Sequence, residues 1–282
     1  MKGASLRPGQ GYTGLLEKMR TVLRYPGAKN RIANWICGYI PEHTVYLEPF
    51  AGSLAVLFNK PRSHIETVND LNEDVVNFFS VLRNHSEELK QAIEFTPFAR
   101  SEYEASYEDT TDPIERARRF SVRCWQGFGC SNLYKNGFKS GQQSNSPNPA
   151  KAWAEMPDII IQAAERLKGV QIENLPALEL IRRYDTPDVF MYVDPPYLHG
   201  TRKNYLYKHE MKDSEHVELL EVLIRHPGKI ILSGYDNEMY NDILSGWRKE
   251  SISTQAENGL KRVETIWMNF RDNQMSIEDY LK

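Results

Sequence analysis

Residues 192–200 read Tyr-Val-Asp-Pro-Pro-Tyr-Leu-His-Gly. Proline fixes its own φ, offers no backbone N–H and pushes the preceding residue out of the α region. Asp194-Pro195-Pro196-Tyr197 therefore fits neither a helix interior nor a central strand, and reads as a stiff, extended turn. The run before it, Val189 to Val193, is apolar, β-branched or aromatic over the length of a strand, and predicts a buried strand ending at Asp194. A carboxylate, an aromatic ring and carbonyls that no neighbouring proline N–H can engage are thus held rigidly at a strand's end.

Two other segments share this design. TVYLEPFAGS (residues 44–53) alternates Val45 and Leu47 and runs into Glu48 and a glycine turn, and IETVNDLN (65–72) ends on Asp70. Each of the three is followed by helix-like sequence: SLAVLFNK (53–60), NEDVVNFFSVLR (72–83) and, after a loop, SEHVELLEVLIRH (214–226). Residues 157–183 add helix, strand and helix, and RVETIWMNF (262–270) reads as a closing strand. Strands alternating with helices predict parallel β-α units, an α/β fold with a Rossmann-like sheet and helices on both faces. Ligands of such open sheets bind beyond the carboxyl ends of the strands, where these acids lie.

The 282 residues are enough for one large core or a core with a smaller lobe. The rhythm breaks between Asn84 and Pro157, where polar helix-like sequence leads into a Gly/Ser/Asn/Pro-rich stretch at 127–151. The predicted division is a flexible extension (1–18), a catalytic domain (19–83 and 158–282) and an inserted lobe (84–157). No stretch is apolar over the length of a bilayer span, and the N-terminus has no apolar signal core, so a cytoplasmic protein is expected. Cys37, Cys124 and Cys130 are odd in number and lack C-x-x-C spacing, which argues against a disulfide framework or a zinc knuckle. H-E-x-x-H and G-x-S-x-G are absent, so metalloprotease and serine-hydrolase readings have no support.

RYPGAKNR (24–31) is a Pro-Gly turn opening a helix, without P-loop spacing; by itself it is equally a surface turn. EPFAGS (48–53) offers a glycine for close backbone approach but does not match G-x-G-x-x-G. Asp70 is placed either to accept ribose hydroxyls or to cap the helix beginning near Asn72. The 194–197 turn suits an exocyclic amine on a planar base. Asp194 and the Pro195 carbonyl can each accept one N–H while Tyr197 stacks on the ring. Holding both hydrogens pulls the nitrogen toward tetrahedral geometry and aims its lone pair at an electrophile.

YPGAK, EPFAGS, NDLN and DPPY, in this order, resemble the D12-class, Dam-like adenine-specific DNA methyltransferases, and VETIWMN is similar to their closing strand. The resemblance covers roughly residues 24–83 and 158–270. It implies a Rossmann-like sheet with a helical target-recognition insert, S-adenosylmethionine as cofactor and double-stranded DNA as partner, with no metal and no membrane. It puts Tyr25 and Lys29 near the methionine moiety, Glu48 and Gly52 at the amino-acid end, Asp70 on the ribose, Gly27 and Phe50 also beside the cofactor, and Asp194, Pro195, Pro196 and Tyr197 around a flipped adenine, with Asp194 also bordering the cofactor. Three departures stand out. Ala28 replaces the second glycine of Pro-Gly-Gly-Lys, Leu54 follows AGS where glycine is frequent, and the family's acid has no match in ENLPALEL (173–180).

Net charge is −3, yet residues 115–141 carry six basic side chains against one acid. Arg116, Arg118, Arg119, Arg123, Lys135 and Lys139, interleaved with Trp125, Phe128, Tyr134 and Phe138, have the composition of a phosphate-contacting surface or, for the helical arginines, of a solvated face. Arg202 and Lys203 lie in a second basic loop that could close over DNA. The expected activity is N6 methylation of adenine in DNA, in a bacterial or phage-infected cell, as in restriction-modification. Cytosine N4, an RNA adenine or a protein glutamine are alternative acceptors, and a DNA-binding relative without turnover is the alternative from another class.

Overall fold

The computed structural model describes residues 19–129, 135–141, 148–201, 206–255 and 261–271. The three acid-tipped segments form β1 (Val45–Glu48), β2 (Ile65–Asn69) and β4 (Val189–Val193), and the strand expected within 157–183 is β3 (Val170–Glu173). β5 (Lys229–Tyr235), β6 (Arg248–Gln255) and β7 (Lys261–Met268) complete a seven-stranded sheet of order β3-β2-β1-β4-β5-β7-β6. β7 pairs antiparallel with both of its neighbours, and every other pairing is parallel. The strand order reverses between β1 and β4, so a crevice opens beyond their carboxyl ends.

β4 is buried along its whole length, as an unbroken apolar run requires of a strand covered on both faces. One apolar cluster includes Tyr46, Val68, Phe78, Phe79 and Phe190 together with Leu89, Ile93, Tyr103, Phe120, Trp125 and Trp153 of the expected insert. The other face carries Leu180, Ile181, Leu219, Leu220, Leu223, Tyr240 and Trp267. Helices on both sides bury these two clusters, which is the layered arrangement expected from the alternating pattern. The insert's helices Ser86–Glu94 and Pro113–Gln126 are continuous with the first cluster, so this part of the chain shares the core of the sheet. Its indoles also tie it down: Trp125 donates to the Val22 carbonyl at 3.2 Å and Trp153 to the Thr96 carbonyl at 2.7 Å.

A buried ionic cluster joins β2 to its neighbouring helix Met156–Leu167. Glu66 receives Lys60 at 2.6 Å and both guanidinium nitrogens of Arg166 at 2.6 and 2.8 Å. Burial opposes its ionisation, but the Arg166 and Lys60 hydrogen bonds prevail and hold the carboxyl near pKa 2. The Lys60 side chain has no exposed surface and also lies 4.2 Å from the Tyr46 ring centroid. Glu66→Ala is expected to cost about 3–5 kcal/mol, because it leaves a buried ammonium without its acid. Urea denaturation measures this, and a loss below ~1 kcal/mol contradicts the charge-pairing account.

Candidate active site

Beyond β1, β2 and β4 lies one cleft, whose walls bring together Tyr25, Gly27, Lys29 and Glu48 with Phe50, Gly52, Asp70 and Asp194. These eight are the residues that the sequence assigned to the cofactor. Pro196 also lines the cleft, whereas Pro195 and Tyr197 stand behind it. Tyr197 borders a narrow hollow with Tyr235, Asn237 and Tyr240.

The glycine turn after β1 is fixed by backbone geometry. Gly52 has φ +49° and gives its N–H to Asp70 Oδ2 at 2.8 Å, while the Asn72 N–H reaches Oδ1 at 2.9 Å. The cap of helix Glu73–Asn84 is Asn72, whose side chain accepts the Asp74 N–H at 3.1 Å. Asp70 is therefore not the helix cap: it bridges two loops with both oxygens and keeps lone pairs beside the cleft. Burial raises its pKa despite those amide hydrogen bonds.

Two departures of the sequence from the family pattern now have a physical account. In Pro26-Gly27-Ala28-Lys29 the left-handed residue is Gly27, at φ +71°, and Ala28 does not adopt positive φ. A Cβ on Gly27 would lie 2.2 Å from the Tyr207 hydroxyl, so that glycine also gives room to a neighbour. Leu54 does take a left-handed conformation, φ 56° and ψ 29°, at the start of helix Ala55–Asn59. That conformation costs roughly 1–2 kcal/mol for a side-chain-bearing residue. Leu54 is fully buried, and covering such a side chain contributes roughly 1.5–3 kcal/mol, enough to offset the strain.

Lys29 is 5% exposed and donates to Asp194 Oδ2 at 2.8 Å and to the Gly27 carbonyl at 2.7 Å. Its ammonium lies 4.8 Å from the centre of the Tyr197 ring. Burial by itself would lower its pKa, but Asp194 and Glu264 outweigh that and hold it above the usual lysine range. Among the described residues, Asp194 Oδ1 is buried with no hydrogen-bond partner. At the cleft floor, Glu48 accepts the Tyr46 hydroxyl at 2.7 Å; burial raises its pKa to about 8 against that hydrogen bond, with Asp194 adding to the rise.

The structure also brings in residues that the sequence reading passed over. Tyr197 is buried, and its hydroxyl meets Ser233 Oγ of β5 at 3.0 Å and donates to Glu264 Oε2 of β7 at 2.8 Å. Tyr207 and His209, from the segment after the proline turn, line the cleft. The signal for Glu264 was a lone acid inside an otherwise strand-forming run.

The basic stretch divides. Arg118 bonds both oxygens of Glu115 at 2.6 and 2.7 Å and Glu102 at 2.9 Å, and Arg119 bonds Glu115 at 2.7 Å. Arg116 reaches Asp74 at 2.7 Å, while Arg123 donates to the Ser106 carbonyl and lies 3.4 Å from Asp74. All four of the arginines expected to form a phosphate-contacting face are paired with acids from the insert and from helix Glu73–Asn84. Glu115 is held near pKa 2, chiefly by Arg118. Lys135 is exposed and Lys139 half-buried, next to the antiparallel bridge between Gly127 and Phe138. Tyr134, Arg202 and Lys203 lie outside the described residues.

The sheet has one reversed strand, and the acids at the ends of β1, β2 and β4 converge on one cleft beside the Pro-Pro-Tyr turn. The chain belongs to the D12 class N6 adenine-specific DNA methyltransferases, whose family model matches residues 25–258. It is thus an adenine-specific DNA methyltransferase that uses S-adenosylmethionine. It is 24% identical over 288 residues to the type II methyltransferase M.MjaIII of Methanocaldococcus jannaschii, covering 89% of this chain and 97% of that one. It is 26% identical over 254 residues to the DNA N-6-adenine-methyltransferase of Escherichia phage P1, covering 83% of this chain and 32% of that longer protein. Among solved structures, a SAM-dependent methyltransferase from Agrobacterium tumefaciens aligns at 8% identity with a TM-score of 0.36, over 85% of this chain and 61% of that one. No helix among the described residues is long and apolar enough to cross a membrane.

Two outcomes are expected here. The Glu48 carboxyl titrates near 4.5 in an unfolded chain and near 8 in the folded one, so between these values the folded state holds the extra proton. Stability of the ligand-free protein should therefore fall as pH rises from about 5 to 8, and Glu48→Gln should flatten that slope in urea titrations. Arg118→Gln should lower the unfolding midpoint and leave the salt dependence of DNA affinity unchanged. A log–log slope reduced by about 0.9 would return Arg118 to a phosphate.

Proposed function

We propose that the cleft works on an adenine flipped out of duplex DNA, with Asp194 and the Pro195 carbonyl accepting the two hydrogens of its 6-amino group and Tyr197 packing against its ring. The observation that carries this reading is Asp194 itself. Lys29 holds one carboxylate oxygen, and among the described residues the other is buried without a partner. An unmet buried acceptor costs about 1–3 kcal/mol, and an entering N–H donor would relieve that cost.

The residues present also fit the cofactor. Gly52 leaves a cradle whose Cβ would press on the Tyr25 ring at 3.3 Å, and the anchored Asp70 carboxylate offers acceptors suited to ribose hydroxyls. Glu48 and Phe50 line the same cleft, and Glu48 is assigned here to the cofactor's amino-acid end. When bound, S-adenosylmethionine supplies a methyl group activated by a positively charged sulfur. The chain's own task is to exclude water, hold the amine and aim its lone pair along the line of transfer. Lys29 serves this by fixing the Asp194 carboxylate rather than by touching the base. For the duplex, Lys135 and Lys139 flank a hairpin stem where the Phe128 N–H donates to the Gly137 carbonyl at 2.6 Å, and Phe128 itself is 72% exposed. With the arginines of helix Pro113–Gln126 paired with acids, Lys135 and Lys139 are the basic residues of the insert assigned here to the groove.

Asp194→Ala is expected to abolish methylation, by at least the ~10²–10³ in rate that follows loss of one preorganised acceptor. Cofactor affinity should stay within a few fold. Nucleoside mass analysis of methyl-free DNA treated with each protein checks both product and rate. A variant within tenfold of wild type, or a wild-type product other than N6-methyladenine, contradicts the assignment.

A further inference from the structure

We propose that Glu264, on β7, is a positioning residue for the target base, acting through the hydroxyl of Tyr197. This rests on the reading of Tyr197 as the ring against which the flipped adenine packs.

Tyr197 follows two prolines that set its backbone but not its side-chain torsions. Besides Lys29 over the ring, its neighbours among the described residues include Glu264, Ser233 and Tyr235, which hold it in place. Its hydroxyl donates to Glu264 Oε2 at 2.8 Å and meets Ser233 Oγ at 3.0 Å. Tyr235 stands edge-on to it, with ring centroids 4.7 Å apart and an interplanar angle of 73°. Ser233 and Tyr235 point from one face of β5, and Glu264 is directly opposite Tyr235 in the antiparallel register with β7. The reversed strand thus places its carboxylate behind the base-facing turn.

Glu264 stands on β7 between the exposed Val263 and the buried Thr265, ahead of the strand's apolar end of Ile266, Trp267 and Met268. Two cations act on it, Lys29 and Arg262, but Lys29 is hydrogen-bonded to Asp194 and Arg262 to the Tyr235 hydroxyl at 2.7 Å. What Glu264 does contact is a phenol whose pKa burial holds well above the ordinary tyrosine value, so that the hydroxyl remains a donor. Burial raises the Glu264 pKa, while Lys29 and this hydrogen bond oppose the rise; a carboxylate acceptor makes the bond stronger than serine alone could.

The test is a double-mutant cycle on the full-length protein, with methyl-free genomic DNA as substrate and N6-methyladenine as readout. Glu264→Ala is expected to raise KM for DNA, lower kcat, or both, for a loss of about tenfold in kcat/KM, the weight of one charge-assisted hydrogen bond. Cofactor affinity by calorimetry should be unchanged. Glu264→Gln keeps an acceptor oxygen and should recover most of the loss, which also covers the case in which the alanine variant does not fold. In a Tyr197→Phe background neither substitution should matter further, because the hydroxyl they act through is gone. An undiminished effect in that background, or a parallel loss of cofactor affinity, overturns the role of Glu264. A wild-type protein that makes no N6-methyladenine overturns the reading of the site beneath it.

Discussion

The ammonium of Lys29, buried beside Asp194 and facing Glu264, is the interaction around which this active site is assembled. It joins residues 165 positions apart, so the turn at 24–31 and the end of β4 reach their places together. Removing either partner would leave an uncompensated buried charge, a loss of several kcal/mol. The pair is also what makes the spare oxygen of Asp194 useful. An acid with both oxygens in water would exchange one set of hydrogen bonds for another on binding a base. An acid with one oxygen pinned and the other buried without a partner gains a bond it lacked.

A second constraint comes from the backbone of the turn after β1. Gly52 and Asp70 are eighteen residues apart and are joined by one N–H to carboxylate bond, which is why the spacing between the glycine turn and the next acid matters. The bond fixes Asp70 for a ligand and closes the turn in one step. Leu54 shows how much tolerance this arrangement has. A leucine stands in the left-handed region where glycine would be free of strain, and its complete burial offsets the backbone cost. The same substitution at Gly27 has no such compensation, because the space a Cβ would enter already holds the Tyr207 hydroxyl.

Much of this was legible in the sequence because the informative features are local. Pro-Pro after an acid, alternation that ends on an acid, and a glycine turn each act within a few residues, and together they located β1, β2 and β4, whereas the assignment of Tyr25, Lys29 and Glu48 to a cofactor came from the family resemblance. β5 was harder to read. Lys229-Ile230-Ile231-Leu232-Ser233-Gly234-Tyr235 is a short apolar run whose periodicity does not separate a buried strand from part of a helix. Glu264 and Ser233 meet Tyr197 only through the pairing of β5 with β7, and no spacing along the chain carries that register. The arginines misled for a related reason. Counting charges over residues 115–141 excludes the acids that neutralise them from outside that window, Asp74 and Glu102.

That neutralisation changes how a chain of net charge −3 engages a polyanion. Arginines tied into ion pairs release no condensed counterions when DNA approaches, since their charge is already compensated within the fold. Their network instead stiffens helix Pro113–Gln126, whose C-terminal end carries the hairpin stem formed by Gly127 and Phe138. Stem and helix are further joined by the Lys139 N–H, which donates to the Gln126 carbonyl at 2.7 Å. The Gln126 side chain ties the helix to Pro97 and Ala99, and Tyr103, on helix Arg100–Ala105, donates to the Asn136 carbonyl of the stem at 2.5 Å. Under the proposed function, such support beneath Lys135 and Lys139 would favour geometric reading of a groove over diffuse attraction to it.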